Sequence, residues 1–123
     1  MLRKSAPIAF VATAKPDEAR AFYERTLGLD FVADEPFALI FDLGSIMLRI
    51  QKVDTLTPPP QTSLGWEVAD IDAAVTMLAE RGVAFEHFDF LPQDERGIWT
   101  TPSGARIAWF KDPDGNTLSL TQM

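Results

Sequence analysis

The chain offers few side chains that could carry out acid–base, nucleophilic or metal-assisted chemistry. It contains one histidine, His87, and no cysteine, which excludes a histidine pair, a thiolate nucleophile and a disulfide. The strongest remaining candidates are Glu67 as a general base and Arg49, whose planar guanidinium binds carboxylates and phosphates in bidentate fashion. The alternative is structural: Arg49 and Glu67 pair with each other. For His87 the structural interpretation is a pair with a nearby acid, and the functional one is a proton shuttle at the mouth of the cup.

The last quarter of the chain predicts a β-hairpin that closes the fold. Apolar and polar residues alternate along 106–111 and again along 117–121, which is the period of a strand with two different faces. Between these strands Pro113 fixes φ, Gly115 tolerates a positive φ, and Asp112 can accept hydrogen bonds from its own turn. The Asp-x-Asp-Gly pattern lacks the spacing of an EF-hand calcium loop, so turn chemistry explains it better.

The rest of the chain predicts two similar series of elements. The first series is a strand, a helix and three strands, at 8–13, 16–27, 29–33, 38–43 and 45–53. The second has a strand at 63–69, a helix capped by Asp70 and running to Arg81, and strands at 83–89 and 98–101 before the hairpin. A polar loop at 91–97 includes the exposed charges of 94–96, which are either a solvated loop or a lid.

This internal repetition predicts an α+β fold of two βαβββ modules, at about 5–55 and about 63–123, joined by a proline-rich linker at 56–62. We expect a single domain, 1–123, in which one helix per module covers the outside of a cupped, mostly antiparallel mixed sheet. The uncovered faces then surround a shared hollow.

The alternation assigns specific side chains to this hollow, although a slip of one residue in register would invert the assignment. The assigned residues are Ile8, Phe10, Met47, Arg49, Gln51, Ser63, Glu67, Ile107, Trp109, Ser119 and Thr121. Seven of them are expected to contact a ligand: Phe10, Met47, Arg49, Gln51, Glu67, Ile107 and Trp109. Their aromatic and apolar groups suit a planar molecule, and the alternative is a filled hollow without ligand space. Trp66 and Trp99 are assigned to packing.

Composition limits the partners that the chain can have. It has 123 residues, 46% of them hydrophobic, and a net charge of −7, so we expect a folded protein that binds neither nucleic acid nor an anionic membrane. No apolar run approaches the roughly 18 residues of a membrane span. The absence of cysteine fits a reducing compartment, and the cytoplasm is the expected location.

Three segments resemble the vicinal oxygen chelate superfamily, which includes glyoxalase I, extradiol dioxygenases, fosfomycin-resistance transferases and bleomycin-resistance proteins. They are Ala21-Phe-Tyr-Glu-Arg-Thr-Leu-Gly28, Trp66-Glu-Val-Ala-Asp-Ile-Asp-Ala-Ala74 and Asp112-Pro-Asp-Gly-Asn116. The resemblance implies paired βαβββ modules, a homodimer and, in the enzymes of the family, one divalent metal in the cup. It says little about function, because this fold carries several unrelated chemistries.

The family's metal ligands come from the first strand, the strand that opens the second half, and the final strand. The matching positions here are Ile8, Ser63 and Ser119. Isoleucine has no donor atom, and a neutral serine hydroxyl is a poor ligand for iron, nickel, zinc or manganese. We therefore expect no family-type metal and no cofactor, and the metal-dependent reactions lose their Lewis acid.

Three functions remain open at this stage. The first is a metal-free protein that binds a small aromatic or carboxylate-bearing molecule in the cup, similar to the bleomycin-resistance branch. The second is a lyase- or isomerase-type enzyme, similar to glyoxalase, that uses Glu67 and Arg49 or a non-standard metal site. The third is an interaction module whose hollow is filled. The sequence favours the first, because the ligand triad is missing and aromatic residues line the predicted hollow.

Overall fold

A computed structural model describes all of residues 1–123, and its contacts divide the chain into two compact units, Met1–Thr57 and Pro58–Met123. The boundary lies inside the predicted linker at 56–62. That the units form a single domain around a shared hollow stays a prediction. None of the helices has the length and apolar character needed to cross a lipid bilayer.

The first unit is a four-stranded mixed sheet with a helix after its first strand. Its elements are β1 (Ile8–Thr13), α1 (Pro16–Ala21) with a π-helical turn at Phe22–Thr26, β2 (Asp30–Asp34), β3 (Ala38–Asp42) and β4 (Met47–Lys52). The strand order is β1-β4-β3-β2, in which β1 and β4 are parallel and the other pairs antiparallel. A short 3₁₀ turn, Leu2–Lys4, precedes β1.

The core of the first unit lies between one sheet face and the helical segment. Tyr23 is fully buried, and its ring lies 6.1 Å from the ring of Phe41, which in turn lies 5.5 Å from Phe31. The predicted helix 16–27 is correct in extent but widens after Ala21, because the amide of Leu27 bonds the carbonyl of Phe22, five residues back. Such wide turns are typical of a local insertion in an α-helix.

The second unit repeats this order. Its elements are β5 (Thr62–Glu67), α2 (Ile71–Glu80), β6 (Trp99–Thr100), β7 (Arg106–Lys111) and β8 (Thr117–Gln122). The strand order is β5-β8-β7-β6, with β5 and β8 parallel. As predicted, the side chain of Asp70 caps α2 by accepting a hydrogen bond of 3.1 Å from the amide of Ala73. The fold is therefore α+β with two βαβββ modules, as the sequence indicated.

The predicted strand at 83–89 is wrong. Only Phe85 pairs with the sheet, through an isolated antiparallel bridge to Phe110. Beyond it the backbone bonds a side chain instead of a strand: the amide of Phe88 donates to Gln93 Oε1 at 2.6 Å, and Gln93 Nε2 donates to the carbonyl of Glu86 at 2.9 Å. These local bonds compete with a sheet ladder and end the strand after one residue.

The predicted turn at 112–116 is confirmed, and Asp112 holds it together. Its Oδ1 accepts hydrogen bonds from the amides of Asp114 and Asn116, at 3.0 and 2.8 Å, and its Oδ2 accepts one of 2.9 Å from Asn116 Nδ2. Gly115 adopts a φ of 91°. Both Asp112 and Asn116 are buried.

Replacing Asp112 with alanine is expected to lower the free energy of unfolding by about 1–3 kcal/mol, because buried donors lose their acceptor. Asp112→Asn keeps an acceptor for the two backbone amides and should lose roughly half as much. Urea denaturation of the two variants and the wild type provides the measurement. Equal stability of Asp112→Ala and the wild type would contradict this role of the carboxylate.

Candidate functional site

The sheet of the second unit has one face covered by α2 and one open face. Arg106 is in phase with Ala108 and Phe110 along β7, and its guanidinium bonds Asp72 on α2 at 2.7 and 2.9 Å. Ala108 and Phe110 are fully buried on this helix side. Because successive side chains of a strand alternate, those between them point to the open face.

Two rows of side chains cross this open face, because residues paired in neighbouring strands project to the same side. One row runs through Gly65, Ser119 and Trp109, and the other through Glu67, Thr121, Ile107 and Trp99. The sequence analysis placed Glu67, Ile107, Trp109, Ser119 and Thr121 on one face, and the structure brings them together. The register shift in β5 falls between Thr62 and Leu64, at Ser63, so the alternation does not extend through Ser63.

Four aromatic rings dominate the open face, and we call Phe88, Phe90, Trp99 and Trp109 the aromatic cluster. The indoles of Trp99 and Trp109 are nearly parallel, at 26°, with ring centroids 6.2 Å apart. Phe88 meets Trp109 edge to face at 5.5 Å, and Phe90 lies 5.6 Å from Phe88. Trp99, Trp109 and Phe88 are only partly buried, and Phe90 is 80% exposed, so ring surface remains available to a ligand.

The neighbours of Trp109 in its row are small. The residue paired with Trp109 in β8 is Ser119, which has only a hydroxymethyl side chain, and the next residue of the row, in β5, is Gly65. A Cβ atom at Gly65 would lie 2.5 Å from Ser119 Oγ, so the glycine leaves room for this hydroxyl. Trp109 thus has small neighbours in its row, and Ser119 itself is buried.

The predicted site residues of the first unit also share one face. Phe10 is paired with Arg49, and Ile8 with Met47, while Leu48 on the opposite face of β4 is fully buried. Gln51 is in phase with Arg49 along the same strand. Phe10, Ile8 and Met47 are 51%, 48% and 40% exposed. The acid beside Arg49 is Glu35, with 3.8 Å between nitrogen and oxygen, a partner that the sequence analysis did not consider.

A hollow of about 460 Å³ lies at one end of this face, beside the turn between β3 and β4. Ile8, Met47, Val32 and Ile46 give it an apolar lining. Its carboxylate, Asp42, already accepts a hydrogen bond of 2.8 Å from the amide of Gly44. The hollow thus offers apolar contact without an exposed aromatic ring, which makes it a poorer match for a planar molecule than the aromatic cluster.

The donor atoms at the family's metal positions do not fit a divalent metal. Ile8 has no donor, and Ser119 and Ser63 have only neutral hydroxyls. Nowhere in the chain do three or more histidine, cysteine, aspartate or glutamate side chains come together in a metal-binding arrangement. These side chains therefore could not hold a metal ion that takes part in a reaction.

Sequence reasoning missed several residues of the site. Trp99 was assigned to packing, and it does stack on Trp109, but it was not included among the candidate ligand contacts. Phe88 and Phe90 were placed in or beside a strand that does not form. The signal for Trp99 was weak, because β6 has only two residues and shows no periodicity. His87 is exposed and forms no ion pair, so the expectation that it pairs with a nearby acid is wrong.

The predicted loop at 91–97 is more ordered than a solvated charge run. Asp94 Oδ1 accepts hydrogen bonds from the amides of Arg96 and Ile98, at 2.9 and 2.8 Å. The guanidinium of Arg96 bonds the carbonyl of Asp72 at 2.8 Å and the hydroxyl of Thr76, both on α2. The loop is thus attached to the helix that covers the other side of the sheet.

The ion pair of Asp72 with Arg106 predicts a pH dependence of stability. Its hydrogen bond from Arg106 holds the pKa of Asp72 below the ordinary value of 3.8. A carboxyl whose pKa is lower in the folded state stabilises the fold above its unfolded-state pKa, and this stabilisation is lost as the pH falls through the folded-state pKa. The side chain is half exposed, so the effect is that of a surface pair and small.

Asp72→Asn should therefore unfold at a lower temperature than the wild type at about pH 6, and the difference should be smaller at about pH 2, where the carboxyl is more protonated. Met77→Ala, on the exposed side of α2, is the control and should show no pH-dependent difference. Calorimetry at both pH values measures the effect. If the difference in melting temperature is equal at the two pH values, the charge of Asp72 does not cause it.

Comparison with known proteins places the fold in a family. The profile of the Glyoxalase/Bleomycin resistance protein/Dioxygenase superfamily matches residues 6–120. No curated protein matches the chain.

Solved structures share the fold over nearly the whole chain. A structure of TnmS3, an antibiotic binding protein from Streptomyces sp. CB03234, is 28% identical, with a TM-score of 0.73 and coverage of 99% of this chain and 98% of that one. A glyoxalase/bleomycin resistance protein from the same organism is 29% identical, covers 96% and 100%, and has a TM-score of 0.67. A superfamily member from Sphaerobacter thermophilus DSM 20745 is 24% identical over 100% of both chains, with a TM-score of 0.76. Since the family profile spans nearly all residues, this chain belongs to the Glyoxalase/Bleomycin resistance protein/Dioxygenase superfamily.

Proposed function

We propose that the protein binds a small planar aromatic molecule on the open face of its second unit, without a metal and without catalysing a reaction. The aromatic cluster carries this proposal. Parallel, partly exposed indoles at Trp99 and Trp109 offer a flat surface, and Phe88 adds an edge-to-face wall. Burying the ring surface of a ligand here gains both hydrophobic and stacking free energy.

The polar groups around the cluster suggest which substituents the ligand carries. Glu67 lies on the open face in the row next to Trp109 and is exposed, so its carboxylate can accept hydrogen bonds from an amine or hydroxyl group. Ser119, which is paired with Trp109, adds a neutral hydroxyl that is buried in the free protein. Together with the net charge of −7, these groups favour neutral or cationic rings over anionic ones at this face.

A relative supports a binding role. TnmS3, which is 28% identical over nearly the full length of both chains, is described as an antibiotic binding protein. We infer that the present chain likewise sequesters a ring-bearing molecule. Arg49 and its neighbours Phe10, Met47 and Gln51 in the first unit remain proposed ligand contacts, with Arg49 suited to a carboxylate.

Titration of the tryptophan fluorescence tests the proposal. The probe is 9-aminoacridine, a planar cationic amine, and cyclohexylamine is the saturated control with the same charge. We expect saturable 1:1 quenching and an upward thermal shift with the planar probe only. If no planar compound in a ring-containing library shifts the melting temperature, and the protein turns over a substrate instead, binding without chemistry is wrong.

The metal-free part of the proposal has its own test. Protein purified without chelator is expected to contain no stoichiometric iron, nickel, zinc or manganese by elemental analysis. One equivalent of a transition metal would favour the alternative, a lyase- or isomerase-type enzyme that uses Glu67 or Arg49. That alternative gains no support from geometry, because Glu67 is exposed and Arg49 lies beside Glu35.

We further propose that the protein is a homodimer in the cytoplasm and binds neither nucleic acid nor membranes. The family resemblance and the edge strands of the two four-stranded sheets support the dimer. The acidic charge disfavours polyanionic partners. Light scattering coupled to gel filtration measures the molecular mass, and a value of about 13.7 kDa would exclude the dimer.

A further inference from the structure

We propose that Gln93 is the positioning residue of the aromatic cluster: it fixes Phe88 against Trp109 and thereby determines how tightly planar ligands bind. This inference rests on the proposed function. The carboxamide of Gln93 makes three hydrogen bonds to backbone groups. Oε1 accepts from the amide of Phe88 at 2.6 Å, and Nε2 donates to the carbonyls of Glu86 and Gly97 at 2.9 and 2.8 Å.

These bonds hold two separate stretches of chain together. Glu86 and Phe88 lie just after the bridge to β7, and Gly97 lies just before β6, so the segment 86–97 closes into a loop around one side chain. Gly97 brings its backbone so near to Glu86 that a Cβ atom would lie 3.2 Å from the Glu86 carbonyl oxygen. Without the carboxamide, the polar groups at both ends of the loop lose their partners.

The position of the Phe88 ring follows from this arrangement. Its amide is bonded to Gln93, and its ring meets Trp109 edge to face at 83° and 5.5 Å. Two residues earlier, the amide of Glu86 donates to the carbonyl of Trp109 at 2.8 Å, but His87 and Phe88 have no partner in the sheet. The carbonyl of Phe88 accepts a hydrogen bond of 3.1 Å from the amide of Leu91, within the same loop, so Gln93 is the side chain that holds the Phe88 amide.

Glutamine suits this position for a chemical reason. The three backbone groups need one acceptor and two donors on the same planar group, and among side chains of this length only the carboxamide of glutamine provides them. Glutamate keeps the acceptor but sets a negative charge against two carbonyl oxygens. Leucine has a comparable size and none of the polar atoms. Asparagine has the right group but is one methylene shorter.

The test compares Gln93→Leu and Gln93→Glu with the wild type, and Gln61→Leu, an exposed glutamine in the linker, is the matched control. Hydrogen exchange at the amide of Phe88 and the near-ultraviolet circular dichroism of the tryptophans report on the position of the loop. We expect exchange at Phe88 to become about tenfold faster or more, and the affinity for 9-aminoacridine to fall about tenfold, in both Gln93 variants and not in Gln61→Leu.

Gln93→Glu adds a readout that a general loss of stability would not produce. Acidification protonates the introduced carboxyl and restores one donor, so the circular dichroism and the affinity should recover in part at low pH. The wild type and Gln93→Leu should show no such recovery. This variant also keeps the test valid if Gln93→Leu does not fold.

Two outcomes would overturn the inference. In the first, the Phe88 amide and the tryptophan signal are unchanged in the Gln93 variants. In the second, the exchange of the Phe88 amide and the tryptophan signal both change, but the affinity for 9-aminoacridine stays the same. If the wild type itself does not bind 9-aminoacridine or any other planar probe, the proposed function and the ligand part of this inference fail together, and hydrogen exchange at Phe88 still supports or overturns the positioning part.

Discussion

Trp109→Ala is expected to weaken binding of a planar ligand by about 30-fold or more while leaving the protein folded. Trp109 is central to the aromatic cluster, since it contacts both Trp99 and Phe88. Truncating a central aromatic anchor in a binding site costs about 2 kcal/mol or more, and 1.4 kcal/mol corresponds to a factor of ten in affinity. The substitution also removes the ring next to Ser119, its partner in β8.

The effect on stability should be smaller than the effect on binding. Trp109 faces the open side of the sheet and is only partly buried, whereas its neighbours Ala108 and Phe110 are fully buried on the helix side. Part of the indole nevertheless packs on other rings, so a modest loss of about 1 kcal/mol is expected. Binding should be measured at a temperature at which circular dichroism shows the variant to be folded.

Two control variants make this prediction specific. Trp109→Phe keeps a smaller ring and should retain most of the affinity. Met77→Ala, on the exposed side of α2 and thus on the opposite side of the sheet, should bind like the wild type. Wild-type affinity in Trp109→Ala would show that the ligand binds elsewhere, and the apolar hollow of the first unit would then become the next candidate.

The sequence predicted those features that depend on local periodicity or on turn chemistry. The alternation along β4 and β7 correctly placed Arg49 and Trp109 on faces opposite to Leu48 and Phe110, because one face of each sheet must be apolar. The turn at 112–116 was readable because proline, glycine and aspartate each have a defined backbone role. The order of elements repeated clearly enough to predict two βαβββ modules.

What the sequence could not show depends on contacts between separate stretches of chain. The aromatic residues Phe85, Phe88 and Phe90 are of a type that is common in strands, and nothing in the local pattern shows that Gln93 forms hydrogen bonds to the backbone of this segment. Such hydrogen bonds form only when the loop brings the side chain of Gln93 close to the backbone of Glu86 and Phe88. The partner of Arg49 was missed for the same reason, because Glu35 lies between two strands and has no periodic signal.

The family assignment and the site answer different questions. Membership of the superfamily follows from a profile that spans residues 6–120, and it explains the fold but not the ligand. The ligand depends on what this chain places on its open face. There, aromatic rings lie near Ser119, at a position where the family resemblance implies a metal ligand, so the same scaffold is expected to bind ring-bearing molecules instead of a metal ion.

Phe110→Ala is expected to have the largest effect on stability, a loss of about 3–5 kcal/mol in the free energy of unfolding. Phe110 is fully buried beneath the open face, and its ring packs edge to face on Phe85 at 5.6 Å. Removing a buried phenylalanine forfeits its transfer free energy and leaves a cavity. Because a domain is stable by only about 5–15 kcal/mol, urea denaturation should show a clearly lower midpoint.

Phe90→Ala is the matched comparison, because it removes a phenylalanine of the same unit that is 80% exposed. Its stability should stay within about 0.5 kcal/mol of the wild type, but its affinity for a planar probe should fall, since Phe90 extends the aromatic cluster through Phe88. The two variants should therefore separate stability from binding. Phe110→Ala should be less stable, but its folded fraction should keep most of the affinity for the planar probe. If folded Phe110→Ala binds as poorly as Trp109→Ala, the bridge between Phe85 and Phe110 also positions the loop that carries Phe88. In that case the core beneath the sheet, as well as Gln93, determines the shape of the site.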